Sequence, residues 1–329
     1  MARHLPRPPG VLARVADAAI EGPIITSFTR IGYTLRRRLF HWRPLDDYDL
    51  TGRVVAVTGP TSGLGEAAAR QLARMGADLV LIARDREKAE VVQAQIAAEA
   101  GQASIAIADL GDLESVRAAA TRIRGDHGRL DALIHNAGAL LEQRRTTPAG
   151  IEVTVAVHVV GPFLLTALLL PLLRATPGSR VITVSSGGMY AAGLAVNSLQ
   201  MGEDDYRGTE QYARAKRAQV TLNELWAERV PDVRFHALHP GWADTPGVEA
   251  SLPRFRKVVG PLLRDPQQGA DTMIWLAADD GAPLQTTGRF WGDRRPRSIH
   301  KLPSTRRTDT PHRRRRLWDE VSRMAGREP

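Results

Sequence analysis

Cysteine is absent from this chain of 329 residues, so no disulfide and no thiolate metal site can form. Lysine is nearly absent too, because Lys88, Lys216, Lys257 and Lys301 are the only lysines among 45 basic residues. A lysine is therefore unusual in this sequence, and its position is informative. The abundant alanine, arginine and glycine are typical of a GC-rich genome and predict a bacterial source, and a reducing cytosol suits a chain without cysteine.

Net positive charge is confined to the two ends of the chain, although the formal net charge of the whole is +9. Residues 294–329 hold twelve basic and four acidic side chains, or +8, and residues 1–50 hold eight and five, or +3, so residues 51–293 carry −2. A nucleic-acid-binding fold would spread a basic face over the domain itself. We therefore expect no nucleic-acid partner, while the basic ends could contact anionic lipid at the inner face of a membrane.

The first 30 residues lack a continuous apolar core, so we predict no cleavable signal peptide and a cytoplasmic protein. Residues 153–173 form a run of 21 residues without formal charge, long enough to span a bilayer. This run contains Pro162 and Pro171 and lies between strand-like segments, so a membrane span would divide a sheet. We interpret it as a helix buried on the sheet or at a subunit interface.

Both ends carry amphipathic patterns. In residues 28–42, apolar side chains recur at steps of three and four: Phe28, Ile31, Leu35, Leu39 and Trp42. This pattern is typical of an interfacial membrane helix, or of a helix packed on its own domain or on a second subunit. Residues 311–325 predict a basic helix that could bind anionic lipid or nucleic acid, or dock on a neighbouring subunit.

Between the two ends, short apolar runs alternate with helical stretches such as 64–75 and 85–100. The runs cover residues 53–58, 78–83, 104–109, 130–135, 180–185 and 233–238, with a shorter one at 287–291. This alternation predicts an α/β fold with a doubly wound parallel sheet of the Rossmann type in three αβα layers. We expect one domain over residues 51–293, a basic extension over 1–50 and a basic tail over 294–329.

A glycine-rich turn, "TGPTSGLG" (58–65), follows the first predicted strand and opens a helix. Glycines at Gly59, Gly63 and Gly65 allow a tight turn and a close approach of a pyrophosphate to the helix N-terminus. At the end of the second strand stands Arg84, whose guanidinium would pair with the 2′-phosphate of NADP. NADP is therefore favoured over NAD. The alternative is that Arg84 is a solvated loop charge and Asp85 accepts from the ribose.

Five motifs in order resemble the short-chain dehydrogenase/reductase family: the glycine turn, "HNAG" (135–138), "VSSGG" (184–188), Tyr212 four residues before Lys216, and "HPGWADT" (239–245). The stretches "RVITVSSGGM" and "GRFWGDRRP" are similar to the group named dehydrogenase/reductase member 12. The resemblance covers about residues 50–295. It implies a homo-oligomeric oxidoreductase with the cofactor-binding residues Gly59, Thr61, Ser62, Gly63, Leu64, Gly65, Arg84, Asp109, Leu110, Asn136, Ala137, Gly138, Tyr212, Lys216, Pro240, Gly241 and Thr245.

The resemblance also implies catalytic roles. Tyr212 would be the general acid/base, Ser186 would hold the substrate oxygen, and Lys216 would bond the nicotinamide ribose. A phenol has a pKa of about 10, and a nearby ammonium and the positive nicotinamide ring would lower it. Lysine suits this role because its compact ammonium fits between ribose and phenol.

Two departures and one insertion stand beside the predicted site. His158 occupies the position where many members have an asparagine that holds a water for the lysine, and we include it among the catalytic residues. His135 replaces a second asparagine. Residues 187–211 form an insertion that could be a mobile lid over a lipophilic substrate or an inert loop.

The sequence therefore predicts an NADP-dependent enzyme that moves hydride between nicotinamide and a carbonyl or alcohol carbon of a small, lipophilic molecule. The alternative is an NADP-binding sensor or scaffold in which His158 has broken the proton relay. His236 and His239 lie on opposite faces of a strand, so no metal site is expected.

Overall fold

A computed structural model describes residues 11–251 and 253–327. In this part of the chain eight strands form one sheet in the order β3-β2-β1-β4-β5-β6-β7-β8. The pairs are parallel except β7 with β8. The strands are β1 Val54–Thr58, β2 Asp78–Ala83, β3 Gln102–Ile107, β4 Ala132–His135, β5 Arg180–Val184, β6 Arg234–Leu238, β7 Arg289–Gly292 and β8 Arg295–Pro296.

Helices connect the strands and extend both ends of the described chain. They are α1 Val11–Glu21, α2 Ile24–Phe28, α3 Arg30–Leu39, α4 Gly63–Arg74, α5 Arg86–Ala98, α6 Leu113–Asp126, α7 Val153–Val155, α8 Gly161–Ala175, α9 Gly208–Arg229, α10 Pro246–Ser251, α11 Pro253–Val259, α12 Pro266–Ala278, α13 Ala282–Gln285, α14 Pro303–Thr308 and α15 Pro311–Met324.

The predicted doubly wound α/β fold is confirmed. All five residues of β1 are buried, as expected for a parallel strand covered by helices on both faces. Helices α4, α5 and α12 bury one face of the sheet, and α6, α8 and α9 bury the other. The third strand begins two residues earlier than predicted, and the antiparallel β8 was not predicted.

The apolar run lies in a buried helical segment on the sheet. Residues Val153–Ala175 are long and apolar enough to cross a membrane, and 78% of the most apolar window is buried in the protein. A π-helical turn, Ala156–Val160, separates α7 from α8 and contains His158. Such turns interrupt the regular helix and often mark functional positions.

The N-terminal segment packs on its own domain, with a buried face that differs from the predicted one. The helix is broken at Thr29, which has an extended backbone. Ile31 and Leu35 are 42% and 45% exposed, whereas Arg36 is only 1% exposed. Two residues of the apolar stripe are therefore exposed and do not pack on the domain. Arg36 is buried because its guanidinium bonds Asp17 and Asp293 at 2.8 and 2.6 Å.

The insertion 187–211 is packed rather than projecting. Met189 and Tyr190 are buried in an apolar cluster with Phe290 of β7. Gln211 of α9 accepts from the Met201 N–H and donates to the Leu199 carbonyl. These contacts favour a fixed loop over a lid.

The C-terminal helix α15 covers α8 and α9 of the same chain. Trp318 lies 4.7 Å from Trp226 and 5.0 Å from Phe163, measured between ring centroids. Leu317 and Val321 are fully buried beside it. The apolar stripe of this helix thus packs on the domain of the same chain.

Candidate active site

The predicted motifs meet at the carboxyl ends of neighbouring strands. β1 lies between β2 and β4 in the sheet. The chain therefore leaves β1 and β4 toward opposite faces of the sheet, and a crevice opens between the two strand ends. Crevices at such reversal points bind ligands in doubly wound sheets. Gly59 follows β1, and Asn136 follows β4 at this edge.

The glycine turn and the Asn136 turn are locked together. The Asn136 amide donates to the carbonyls of Thr58 and Gly59, each at 3.1 Å. The Thr58 hydroxyl accepts from the backbone N–H groups of Asn136 and Ala137, each at 3.0 Å. A side chain at Gly65 would lie 2.0 Å from the Gly59 carbonyl oxygen, so only glycine fits there. The structure therefore requires Gly65 for the close contact between α4 and the turn.

The start of α4 fits a pyrophosphate. Gly59 and Gly63 have positive φ angles of 64° and 56°, which glycine adopts without strain. Ser62 precedes the helix and makes no capping bond through its side chain. The N-terminal N–H groups of this 12-residue helix and its dipole favour an anion at this point. Thr61 is half-buried beside them, and Leu64 packs near Gly269.

The residues that follow β2 and β3 occupy the next part of the crevice edge. Arg84 is exposed directly after β2. Asp85 caps α5, accepting from the Lys88 N–H at 3.2 Å, and its carboxylate also pairs with the Lys88 ammonium at 3.2 Å. Asp109 is exposed and accepts from the Gly111 N–H at 2.8 Å, while the side chain of Leu110 is buried in the core.

His158 lies against the Asn136–Gly138 turn. Its Nε2 is 3.0 Å from the Ala139 nitrogen and 2.8 Å from the Ala139 oxygen, so it accepts from one or donates to the other according to its tautomer. A side chain at Gly138 would lie 2.5 Å from the His158 ring. Gly138 therefore makes room for an imidazole at position 158.

The structure brings Tyr212 and Lys216 of α9 together with Ser186, which follows β5. The Lys216 Nζ lies 5.4 Å from the centre of the Tyr212 ring and donates to the Val184 carbonyl at 2.9 Å. A side chain at Gly188 would lie 3.6 Å from the Ser186 hydroxyl oxygen and 3.9 Å from the Tyr212 ring, so these two side chains are neighbours. Ser185 points away and donates to the Lys216 carbonyl at 3.1 Å, so Ser186 is the serine that faces the phenol.

The electrostatics of this group are set by burial. Burial raises the pKa of Tyr212, and the bond to Ser186 partly offsets that rise. Burial lowers the pKa of Lys216 to about 7. Burial, and then the Lys216 charge, lower the pKa of His158 far below its usual range. In the protein alone, burial is the largest influence on the Tyr212 pKa, and the Lys216 ammonium donates to the Val184 carbonyl.

The turn after β6 completes the crevice. Gly241 has a positive φ of 79°, and its N–H donates to His239 Nδ1 at 2.9 Å. The Pro240 carbonyl accepts from Arg264 at 3.1 Å. A side chain at Gly63 would lie 3.3 Å from Thr245, so Thr245 borders the glycine turn.

Two supporting residues were missed at the sequence level. Gln219 donates to the His158 carbonyl at 2.7 Å and so holds the π-helical turn to α9. Its position, three residues after Lys216 on the same face, could have revealed it. Arg264 donates to the carbonyl of the Pro240 turn, and the residues next to Arg264 in the sequence give no sign of that contact. Among the described residues, no cluster of three or more histidine and acidic side chains could hold a metal ion.

A family profile described as short chain dehydrogenase matches residues 53–254. Human dehydrogenase/reductase SDR family member 12 is 38% identical over 303 residues, covering 92% of this chain and 95% of that protein. Mouse polyprenol dehydrogenase is 35% identical, covering 89% of each. Human retinol dehydrogenase 11 is 32% identical, covering 84% of this chain and 87% of that protein.

Solved structures show the same fold. A protein of unknown function from Mycobacterium paratuberculosis has a TM-score of 0.69 and 26% identity, covering 87% of this chain and 98% of that one. A short chain dehydrogenase from Shigella flexneri, complexed with NADP, has a TM-score of 0.59 and 27% identity, covering 75% and 98%. The chain belongs to the short-chain dehydrogenase/reductase family and is an oxidoreductase that acts on alcohol and carbonyl groups.

Proposed function

We propose that the chain transfers hydride between NADP and a carbonyl or alcohol carbon of a lipophilic small molecule, with Tyr212 as general acid/base. The observation that carries this proposal is the grouping of Tyr212, Ser186 and Lys216 at the carboxyl end of β5. Groups within hydrogen-bond reach of a reacting oxygen contribute most to proton transfer.

Each residue has a defined task. Bound NADPH would supply the hydride, and NADP⁺ would accept it. In carbonyl reduction, Tyr212 donates its proton to the substrate oxygen, and the Ser186 hydroxyl holds that oxygen beside the phenol. The Lys216 ammonium, 5.4 Å from the ring centre, favours the phenolate that is left. In alcohol oxidation the phenolate takes the proton back.

Preference for NADP rests on the end of β2. Arg84 is exposed there and can reach a 2′-phosphate, which guanidinium binds well. Asp85 is engaged by the backbone and ammonium of Lys88, so it is poorly placed to accept from a ribose hydroxyl. The complex of the Shigella relative with NADP is in keeping with this choice.

A lipophilic substrate is supported by the wall after β6 and by the relatives. Trp242 is partly buried beside the Pro240–Gly241 turn, and aromatic side chains favour apolar ligands. Two relatives are named retinol dehydrogenase and polyprenol dehydrogenase. A screen of aldehydes, ketones, retinoids and steroids with NADPH would identify the substrate class.

Calorimetry with NADPH and NADH tests the cofactor assignment directly. We expect NADPH to bind and to bind more tightly than NADH. Absence of NADPH binding by the folded protein would refute the proposal.

A second candidate, an NADP-binding sensor or scaffold without turnover, is favoured by His158. Its ring is held by Ala139, and its carbonyl is occupied by Gln219. A water relay through position 158 would have to compete with these bonds. If the protein binds NADPH but is inactive and His158→Asn raises turnover from near zero, this candidate is correct. An active wild-type protein excludes it.

Peripheral contact with an anionic membrane, from the cytoplasmic side, is a further proposal. Ile31 and Leu35 are exposed on α3, and Arg30, Arg37 and Arg38 are exposed around them. Apolar side chains ringed by arginine suit an anionic lipid surface. The double variant Ile31→Asp/Leu35→Asp should lose retention on phosphatidylserine vesicles. Val91→Asp, at a valine 58% exposed on α5, is the control.

A homo-oligomer and a bacterial source stay predictions from the sequence. Sedimentation of the purified protein would decide the first.

A further inference from the structure

The N-terminal segment reaches the candidate active site through one aromatic side chain. Phe28, at the end of α2, is only 4% exposed. It lies between the turn after β5 and the turn after β6, which carry Ser186 and Gly241 respectively. The segment therefore touches both turns that border the substrate side of the crevice.

The contact with the β5 turn is direct. A side chain at Gly187 would lie 2.5 Å from Phe28 Cε2 and 3.1 Å from Cζ. The Phe28 ring thus rests against the backbone of the residue that follows Ser186. The Ser186 hydroxyl in turn accepts from the Gly188 N–H at 3.1 Å, and a side chain at Gly188 would lie 3.6 Å from this hydroxyl oxygen and 3.9 Å from the Tyr212 ring. A shift of the Gly187 backbone would move the serine relative to the phenol.

The contact with the β6 turn holds the ring from the other side. Its centroid is 4.2 Å from that of His239 and 5.6 Å from the Trp242 indole, which it meets edge-on. The Phe28 carbonyl accepts from the backbone N–H of Trp242 at 2.7 Å. The ring is therefore fixed by backbone as well as by packing.

A buried ionic group anchors the segment at this place. Asp293 bonds Arg36 of α3 at 2.6 Å and Arg264 at 2.6 and 3.0 Å. Arg264 also donates to the Ser27 carbonyl at 3.1 Å, next to Phe28. Burial opposes the ionised form of Asp293, but Arg264 and Arg36 outweigh it and lower the pKa to about 2. Asp293 remains charged at neutral pH, so the anchor persists there.

We propose that Phe28 is a positioning residue, which presses on Gly187 and thereby sets the distance between the Ser186 and Tyr212 hydroxyls. This inference rests on the proposed function of Ser186 and Tyr212. It makes the N-terminal segment a part of the active site. A core side chain with no such role would affect stability alone.

The test compares Phe28→Ala with Tyr33→Ala. Both variants remove a buried ring from the N-terminal segment, but Tyr33 packs on Trp42 and bonds Asp271 instead of touching Gly187. With benzaldehyde and NADPH, we expect Phe28→Ala to lower kcat by about 100-fold, because small displacements of catalytic groups cost that much. The dissociation constant of NADPH should stay within about twofold. Phe28→Leu should restore much of the rate.

A second readout does not depend on turnover. The chain has five tyrosines, so isotope labelling of their rings gives few NMR signals, and Tyr212→Phe identifies the signal of Tyr212. In Phe28→Ala this signal should move in the same direction as in Ser186→Ala, and in Tyr33→Ala it should stay. An unmoved signal in Phe28→Ala, or an equal shift in Tyr33→Ala, would overturn the inference. If the wild-type protein does not reduce benzaldehyde, the proposed function is in question, and the NMR signal decides on Phe28.

A paired substitution guards against misfolding of Phe28→Ala. Gly187→Ala places a methyl group against the Phe28 ring, so it should lower kcat in the wild-type background. Phe28→Leu removes part of that ring and should recover activity in the double variant. Equal loss in both backgrounds would contradict a contact-mediated effect.

Discussion

The imidazole of His158 stands edge-on to the phenol ring of Tyr212, with centroids 5.3 Å apart and ring planes at 89°. This arrangement depends on the π-helical turn that carries His158 and on the absence of a side chain at Gly138. Because burial and the Lys216 charge keep the imidazole neutral, it adds no positive charge beside the phenol. A histidine thus fits here without repelling the ammonium of Lys216.

Replacing the phenol should separate chemistry from binding. Tyr212→Phe removes the proton donor but keeps the ring, so we expect turnover to fall by about 100- to 10,000-fold. NADPH affinity should be nearly unchanged. Steady-state rates and calorimetry on the same preparation would measure both.

The matched control is Tyr206→Phe on the insertion. It removes a phenol hydroxyl that donates to the Glu152 carboxylate at 3.0 Å. It should keep most of the activity. Persistent turnover in Tyr212→Phe would show that another group moves the proton.

Arg84 should decide between the two dinucleotides. A hydrogen bond to a charged group contributes about 1.5–3 kcal/mol, so Arg84→Ala should weaken NADPH binding by roughly 10- to 100-fold. NADH has no 2′-phosphate, and its affinity should not fall. Arg86→Ala is the control, since Arg86 is exposed nearby and faces Glu90 at 3.7 Å. Equal losses for both cofactors would place the phosphate contact elsewhere.

The sheet and the glycine turn could be predicted because their signals are local. A run such as Val54–Thr58 is apolar on both faces, and Gly59 and Gly63 mark a turn with positive φ. Tyr212 and Lys216 share a helix face for the same local reason. These signals depend on neighbours within a few residues.

The buried face of α3 could not be predicted in this way. An arginine normally lies in water, and the partner that buries Arg36 is Asp293, 257 residues further along the chain. Phe28 and Gly187, which are in contact, also lie far apart in the sequence. Contacts between segments so far apart leave no periodic pattern, and only the folded chain reveals them.

The C-terminal helix should be needed for stability. Trp318 packs on Trp226 and Phe163, and the Arg229 guanidinium lies 4.1 Å from its ring centre. We expect Trp318→Ala to lower the free energy of unfolding by about 3–5 kcal/mol, as for other buried aromatic side chains. Chemical denaturation would measure this. Arg315→Ala, at an exposed position of the same helix, should change it by less than about 0.5 kcal/mol.

Buried histidines should make the protein lose stability in mild acid. Burial lowers the pKa of His135 and His239 to about 3 and that of His236 to about 4. An unfolded histidine has a pKa of about 6.5, so below that pH the unfolded chain binds more protons than the folded one. The stabilisation is complete above about pH 6.5 and is lost as the pH falls toward the folded pKa values, by about 1.4 kcal/mol per pH unit for each histidine.

Denaturation at about pH 7.5, 6 and 5 should therefore show a falling free energy of unfolding. Asp293 cannot cause this loss, because its pKa is lowered to about 2 and it stays ionised in the folded protein throughout that range. His135→Asn removes one of the titrating groups and should make the decline shallower by about 1.4 kcal/mol per pH unit. A free energy of unfolding that stays constant from pH 7.5 to pH 5 would mean that these histidines take up protons in the folded state. In that case water must reach the side chains of His135, His236 and His239, which are buried in the structure.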